Sequence, residues 1–248
     1  MEIAIIGCGV MGSALARHFS KRHKVYLFDR NAHKASALAQ EIGALCAPTL
    51  RAACEKNIVL CIKPKDFDQF VKDLDVSLQG KLLVSILAGI SMEKLRSSFP
   101  GAHIVRSMPN LALSYGEGVQ GLTGDHLESV DHMMEGMGLN LWISEAQLEG
   151  LTALCGSGIA FVLLLIEAFV AAGIYLGFPA QSATALVMQT FKGALALMEG
   201  SGKHPAELQA EICSPGGTTI EGLRMMEKCG VRSGVIETLI ACYKKGHG

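Results

Sequence analysis

Gly7-Cys8-Gly9-Val10-Met11-Gly12 follows the apolar run Glu2-Ile3-Ala4-Ile5-Ile6 and opens into Ser13-Ala14-Leu15-Ala16. In a strand–turn–helix unit the first glycine of G-x-G-x-x-G makes the tight turn. The second lets a pyrophosphate approach the backbone, and the third lets the helix pack closely on the strand. The helix start then offers free N–H groups and the positive end of its dipole. In a chain with 28 glycines the pattern alone reads equally as an ordinary turn. Its context separates the two readings. The motif opens the first of several β–α units, and the next strand, Val25-Tyr26-Leu27-Phe28, ends on Asp29, about twenty residues on, where a dinucleotide fold carries an acid. An acid there bonds the ribose 2′-OH of NAD and repels the 2′-phosphate of NADP. Arg30 follows at once and is able to clasp that phosphate, so the residues lean towards NADH and leave NADPH open.

Outward from this turn, short β-rich runs alternate with amphipathic segments. Strands are expected at 2–6, 24–28, 44–46, 57–62, 81–86 and 103–107, with helices near 12–20, 32–42, 49–56, 65–75 and 91–98. A β–α–β tail at 118–123, 127–136 and 139–143 completes the half. Apolar strands in regular alternation with helices predict an α/β fold, a Rossmann-type mainly parallel sheet covered on both faces. The dinucleotide-binding domain is expected over 1–145.

After Ser144 the character changes. No convincing strand remains, and breakers at Gly156–Gly158, Gly177–Pro179, Gly200–Gly202 and Pro215–Gly217 divide the rest into about five helices. This predicts an all-α dimerisation and substrate-binding domain over 146–248. The helices expected at 158–177 and 180–199 are apolar nearly all round and must be covered on every side. A small helical domain cannot do that alone, so an extensive subunit interface, at least a homodimer, is expected.

Half the residues are hydrophobic and only 18% are charged, with 22 basic against 23 acidic side chains. No basic stripe exists to track a phosphodiester backbone, so nucleic acid is not an expected partner. The eight cysteines form no C-x-x-C pair and sit mostly in apolar segments, as reduced, buried thiols do. The histidines show no metal-ligand spacing, and no metal is expected. The strand-like N-terminus has no basic n-region, so no signal peptide is expected and the location is read as cytoplasmic. Gly158–Phe178 is long enough to span a bilayer, but Glu167 near its middle would cost about 2.5–3.5 kcal/mol there. A buried helix is expected instead.

Three loops interrupt otherwise apolar sequence. Lys63-Pro64 and Arg106-Ser107-Met108-Pro109-Asn110 each fall at a strand's carboxyl end, where open α/β sheets bind ligands. Each also reads simply as a strand-ending turn. The third, Ser214-Pro215-Gly216-Gly217-Thr218-Thr219, precedes a helix. Hydroxyls together with helix-start N–H groups make a carboxylate cradle, or else an ordinary cap of that helix.

Taken together, these blocks resemble the pyrroline-5-carboxylate reductase family over essentially the whole chain. Similar are Gly7–Gly12, Lys63-Pro64, Met108-Pro109-Asn110, Gly116-Glu117-Gly118, Thr152–Gly158, Ile166-Glu167-Ala168, Ala172-Gly173 and His204-Pro205. The most specific is Ser214-Pro215-Gly216-Gly217-Thr218-Thr219-Ile220-Glu221-Gly222-Leu223. The resemblance implies reduction of 1-pyrroline-5-carboxylate to L-proline with NADPH or NADH, by a Rossmann domain and a helical domain that interleaves with its partner. It further implies that Ser214, Gly216, Gly217, Thr218 and Thr219 hold the substrate carboxylate and that the Thr219 hydroxyl faces the ring nitrogen as the catalytic group. Gly7, Gly9, Val10, Met11, Gly12, Asp29, Arg30, Lys63, Pro64 and Asn110 would bind the cofactor. The chain departs from the family pattern at Leu111-Ala112-Leu113, where Thr-Pro-Ala is usual, and at Cys155 and Ile159, where Ser and Pro are usual. The first departure removes a hydroxyl near the expected nicotinamide pocket.

Hydride chemistry belongs to the cofactor, and an imine nitrogen can arrive already protonated, so no His or Glu general acid is required. A hydroxy-acid dehydrogenase of the same plan would need an acid for its alkoxide, often a Lys on the first long helix of the second domain. Residues 146–191 contain no Lys. A non-catalytic dinucleotide-binding module is the other alternative, and the intact Ser214–Thr219 loop speaks against it.

Overall fold

The computed structural model describes residues 1–246. Residues 247 and 248, the end of the expected helical domain, lie outside the described residues. The chain forms two compact units, essentially Met1–Gly156 and Ser157–Lys245.

The first unit holds one eight-stranded sheet. Its strands are β1 (Glu2–Ile6), β2 (Lys24–Phe28), β3 (Leu45–Cys46), β4 (Asn57–Leu60), β5 (Leu82–Ser85), β6 (His103–Pro109), β7 (Gly118–Gly124) and β8 (Gly138–Trp142). They lie in the order β3-β2-β1-β4-β5-β6-β7-β8. All neighbours are parallel except β6 and β7, which run antiparallel. The helices between them are α1 (Val10–Phe19), α2 (Ala32–Ile42), α3 (Leu50–Cys54), α4 (Phe67–Asp73), α5 (Met92–Ser98) and α6 (Glu128–Met134), and α7 (Glu145–Leu151) follows β8. This is the expected Rossmann sheet with a mixed extension.

Because strand side chains alternate, each strand feeds two cores. Ile3 and Ile5 pack with Leu15 and Phe19 of α1 and with Val130 and Met133 of α6. Ala4 and Ile6 pack on the opposite face with Phe67 and Phe70 of α4 and Leu95 of α5. The point where strand order reverses lies between β1 and β4, and β1 runs directly into the glycine turn. Helix α7 packs on β7: a Cβ at Gly121 would approach the Leu151 side chain to 2.6 Å. The sheet-bearing unit therefore runs past the change in composition at Ser144.

A π-helical turn, Thr152–Ser157, continues α7 into α8 (Gly158–Tyr175). The second unit contains α8, α9 (Ala180–Ser201), α10 (Pro205–Ile212), α11 (Thr218–Lys228) and α12 (Val231–Gly246). Helices α8 and α9 pair, with Phe169 against Phe191 edge to face. Their remaining apolar surface is open in the single chain, with Leu164 63% and Leu195 60% exposed. The burial expected for these helices is thus not achieved within one chain. The stretch Glu145–Tyr175 is long and apolar enough to cross a membrane.

Candidate cofactor cleft and carboxylate loop

The glycine turn owes its shape to backbone proximity. Gly7 stands at φ +104°, and a Cβ there would meet the Cys61 carbonyl oxygen at 2.6 Å. A Cβ on Gly12 would come within 1.9 Å of the Gly7 carbonyl oxygen, so only glycine lets α1 sit this close to β1. Gly9 is different. A Cβ there would meet nothing within 4 Å, so this side of the turn is open. Gly9 is also the N-cap of α1, with no side-chain cap and no acid in the first turn. The N–H groups of Val10, Met11 and Gly12 at that helix start therefore have no intrahelical acceptor and no side chain to satisfy them. An open glycine beside an uncapped helix start fits a pyrophosphate.

Asp29 is fixed from both sides. One carboxylate oxygen accepts the Cys8 N–H at 2.7 Å and the other accepts the Asn31 N–H at 2.8 Å. Gly7, Gly9, Asp29, Arg30 and Lys63 line one cleft of about 530 Å³, together with Lys34, Cys61, Lys65, Asp66 and Asp73. Pro64 starts the 3-10 turn Pro64–Asp66 that leads into α4, where its fixed φ suits a first helical position. Lys34, Lys65, Asp66 and Asp73 are cleft residues that sequence reading passed over. The one available signal was that Asp66 and Asp73 lie two helical turns apart and so share a face.

Two thiols lie at the turn, Cys61 in the cleft lining and Cys8 buried beside it. Burial, with the Asp29 carboxylate second, pushes the Cys8 thiol up to about 12, and burial raises Cys61 as well. Both remain neutral near pH 7 and serve as small apolar groups.

Asn110, expected beside the cofactor, is buried and does not line the cleft. Its Oδ1 accepts the Val119 N–H and its Nδ2 donates to the Cys155 carbonyl, both at 3.2 Å. Arg106, also buried on β6, pairs with Glu145 at the start of α7, and Glu145 accepts the Met92 N–H at 2.6 Å.

In the second unit, Ser214–Thr219 leads into α11. Gly216 takes the left-handed conformation at φ +72°, and the Gly217 N–H closes a turn on the Ser214 carbonyl at 3.0 Å. Gly217 is the N-cap, and no side chain caps this helix. Neighbouring α10 is self-capped: His204 Nδ1 accepts the Ala206 N–H, and Glu207 accepts the His204 N–H, each at 3.2 Å. Ser214, Thr218 and Thr219 are exposed. Their hydroxyls and the free N–H groups of α11 can receive a carboxylate.

A sheet with this order, an open glycine turn and an acid at the end of β2 defines a Rossmann-type dinucleotide-binding protein. Residues 2–89 match the family described as NADP oxidoreductase, coenzyme F420-dependent, and residues 145–248 match pyrroline-5-carboxylate reductase dimerisation. The chain belongs to the pyrroline-5-carboxylate reductase family. It is 30% identical to the pyrroline-5-carboxylate reductase of Synechocystis sp., covering 99% of this chain and 97% of that protein. It is 32% identical to that of Aquifex aeolicus, covering 96% and 94%. Among solved structures, it resembles 1-pyrroline-5-carboxylate reductase from Streptococcus pyogenes with a TM-score of 0.90 and 28% identity, over 99% of this chain and 98% of that one. The Plasmodium falciparum enzyme with NADP bound gives a TM-score of 0.85 and 26% identity, over 99% and 98%.

Proposed function

We propose that this enzyme reduces 1-pyrroline-5-carboxylate to L-proline, the last step of proline biosynthesis, with NADPH or NADH. A bound reduced nicotinamide supplies a hydride to the imine carbon. The ring nitrogen ends with one more proton and the product is a secondary amine. The observation that carries this reading is the uncapped start of α11, a carboxylate cradle in a chain that also holds an open dinucleotide turn.

The chain's own residues divide the work. Gly7, Gly9, Val10, Met11 and Gly12 receive the pyrophosphate, while Asp29, Arg30 and Lys63 face the adenosine end, and Pro64 sets the turn that carries Lys63. Ser214, Gly216, Gly217 and Thr218 hold the substrate carboxylate, and the Thr219 hydroxyl faces the ring nitrogen, which arrives protonated or takes a solvent proton through that hydroxyl. Asn110 lies beside the cofactor, its amide oriented by Val119 and Cys155. The expected dinucleotide-binding domain, 1–145, is extended by α7 in the sheet-bearing unit, and the helical unit beyond Gly156 binds substrate and pairs with a second copy in the cytoplasm. The open apolar sides of α8 and α9 favour that second copy as their cover, and Glu167 disfavours lipid.

Mixing purified protein with pyrroline-5-carboxylate and each reduced cofactor, and following loss of nicotinamide absorbance, tests the activity. No turnover with either cofactor would refute it. Sedimentation at micromolar concentration tests the dimer, and a folded, active monomer would refute that part.

A further inference from the structure

We infer that Asp66 and Asp73 are specificity-determining residues of the cofactor cleft, which hold Arg30 away from a 2′-phosphate and so turn the enzyme towards NADH. This rests on the reading of that cleft as the dinucleotide site. Asp29 is the expected discriminating acid, and its carboxylate is pinned at the cleft by the Cys8 and Asn31 N–H groups. Arg30, the adjacent residue, is the natural clasp for a 2′-phosphate. Its guanidinium is already divided. Nη1 lies 3.7 Å from Asp66 and Nη2 lies 3.7 Å from Asp73. Both acids line the same cleft as Asp29 and Arg30.

A 2′-phosphate arriving here meets two carboxylates on the guanidinium and a third, Asp29, elsewhere in the same cleft. Without that phosphate, a ribose hydroxyl meets Asp29 as a hydrogen-bond acceptor and leaves the Arg30 pairs undisturbed. The pairs are wider than a hydrogen bond and largely exposed, so they contribute little to stability and can be altered without unfolding the chain. Their effect on a dianion is larger, because removing either acid both frees the guanidinium and lifts a like-charge repulsion. Lys34, Lys63 and Lys65 also line the cleft and attract either dinucleotide through its overall negative charge. They raise affinity for both cofactors. The choice between the two falls to the acids around Arg30.

The test is calorimetric, using adenosine 2′,5′-bisphosphate and ADP as probes on wild type, Asp66→Asn/Asp73→Asn, and that double variant with Arg30→Ala added. Wild type should bind ADP more tightly. The double variant should gain about tenfold in affinity for the bisphosphate, with ADP changed less than about twofold. Adding Arg30→Ala should abolish the gain. Asp73→Asn alone should give a partial gain and guards against a folding defect in the double variant. A wild type that already prefers the bisphosphate, or a double variant with unchanged preference, would overturn the inference. Failure of both probes to bind wild type would remove the cleft assignment and the inference with it.

Discussion

The Asn110 side chain ties the end of β6 to the π-helical turn, donating from Nδ2 to the Cys155 carbonyl at 3.2 Å. The same amide accepts the Val119 N–H, so each of its polar ends has one partner inside the protein. A π turn is a strained insertion that persists where surroundings hold it, and such turns concentrate at functional sites. Cys155 and its neighbours belong to the block Thr152–Gly158 that carries the family resemblance. Asn110→Asp replaces a donor with a charge facing a carbonyl, and Asn110→Ala removes the side-chain partner of two part-buried backbone groups. Each should lower stability by about 1–3 kcal/mol. If the tie also positions the substrate half, kcat should fall while affinity for NADH stays within about twofold. Melting curves and cofactor titration of the same variants check this, and a parallel loss of NADH affinity would show Asn110 to be a direct cofactor contact.

Gly9 and Gly12 should fail in different ways. Gly12→Ala places a methyl 1.9 Å from the Gly7 carbonyl and must push α1 off β1, with loss of folded protein or a large drop in melting temperature. Gly9→Ala meets nothing within 4 Å, so the fold should survive with a near-normal melting temperature. Its methyl would occupy the side open to the pyrophosphate, and NADH affinity should fall by tenfold or more, at least about 1.4 kcal/mol. Tight NADH binding by Gly9→Ala would mean that the cofactor does not cross this face.

Thr219→Ala should lower kcat/KM by about 10- to 150-fold, for a hydrogen bond of about 1.5–3 kcal/mol strengthened as the hydride arrives. Ser214→Ala should act mainly on KM, since a carboxylate is held alike in the ground and transition states. Neither hydroxyl caps α11 in the structure, so melting temperatures should hardly move. A destabilised Thr219→Ala with ordinary kinetics would make the residue a helix-starting one only.

Asp125 gives an acid-sensitive brace at the end of β7. Burial alone would raise its carboxyl, but the Ile104 N–H at 2.9 Å and the Arg96 guanidinium at 2.7 Å prevail and lower it. A depressed folded-state pKa contributes stability above the unfolded value, about 3.9 for Asp, and that contribution is lost as pH falls through the folded value. Asp125→Asn should therefore be less stable than wild type by about 1–2 kcal/mol at pH 7. Denaturant unfolding at descending pH should show the gap closing below about pH 3.9. A gap independent of pH would assign the loss to packing.

Much of the fold was legible because a covered parallel sheet leaves a strong periodic trace. Strands expected at 2–6 and 24–28 form with those bounds, and those expected at 57–62 and 81–86 form as 57–60 and 82–85. The glycine turn was legible for a similar reason: the positive φ of Gly7 and the approach of Gly12 to the Gly7 carbonyl are local demands that favour one residue type, whereas the contact of Gly7 with Cys61 belongs to the fold. Strand direction was not. Alternation encodes which face a side chain takes and says nothing of chain sense, so only the fold shows β7 antiparallel to β6.

The sequence by itself determined a Rossmann half, a helical half and the loops that carry chemistry, because these follow from periodicity and backbone sterics within a few neighbouring residues. Tertiary structure alone decided how side chains far apart in the chain meet. It set Asp66 and Asp73 against Arg30, tied Asn110 to Val119 and Cys155, and left the apolar sides of α8 and α9 open in the single chain. These outcomes depend on pairings across the fold, and a linear pattern holds the strength of each group but not the partner it will find.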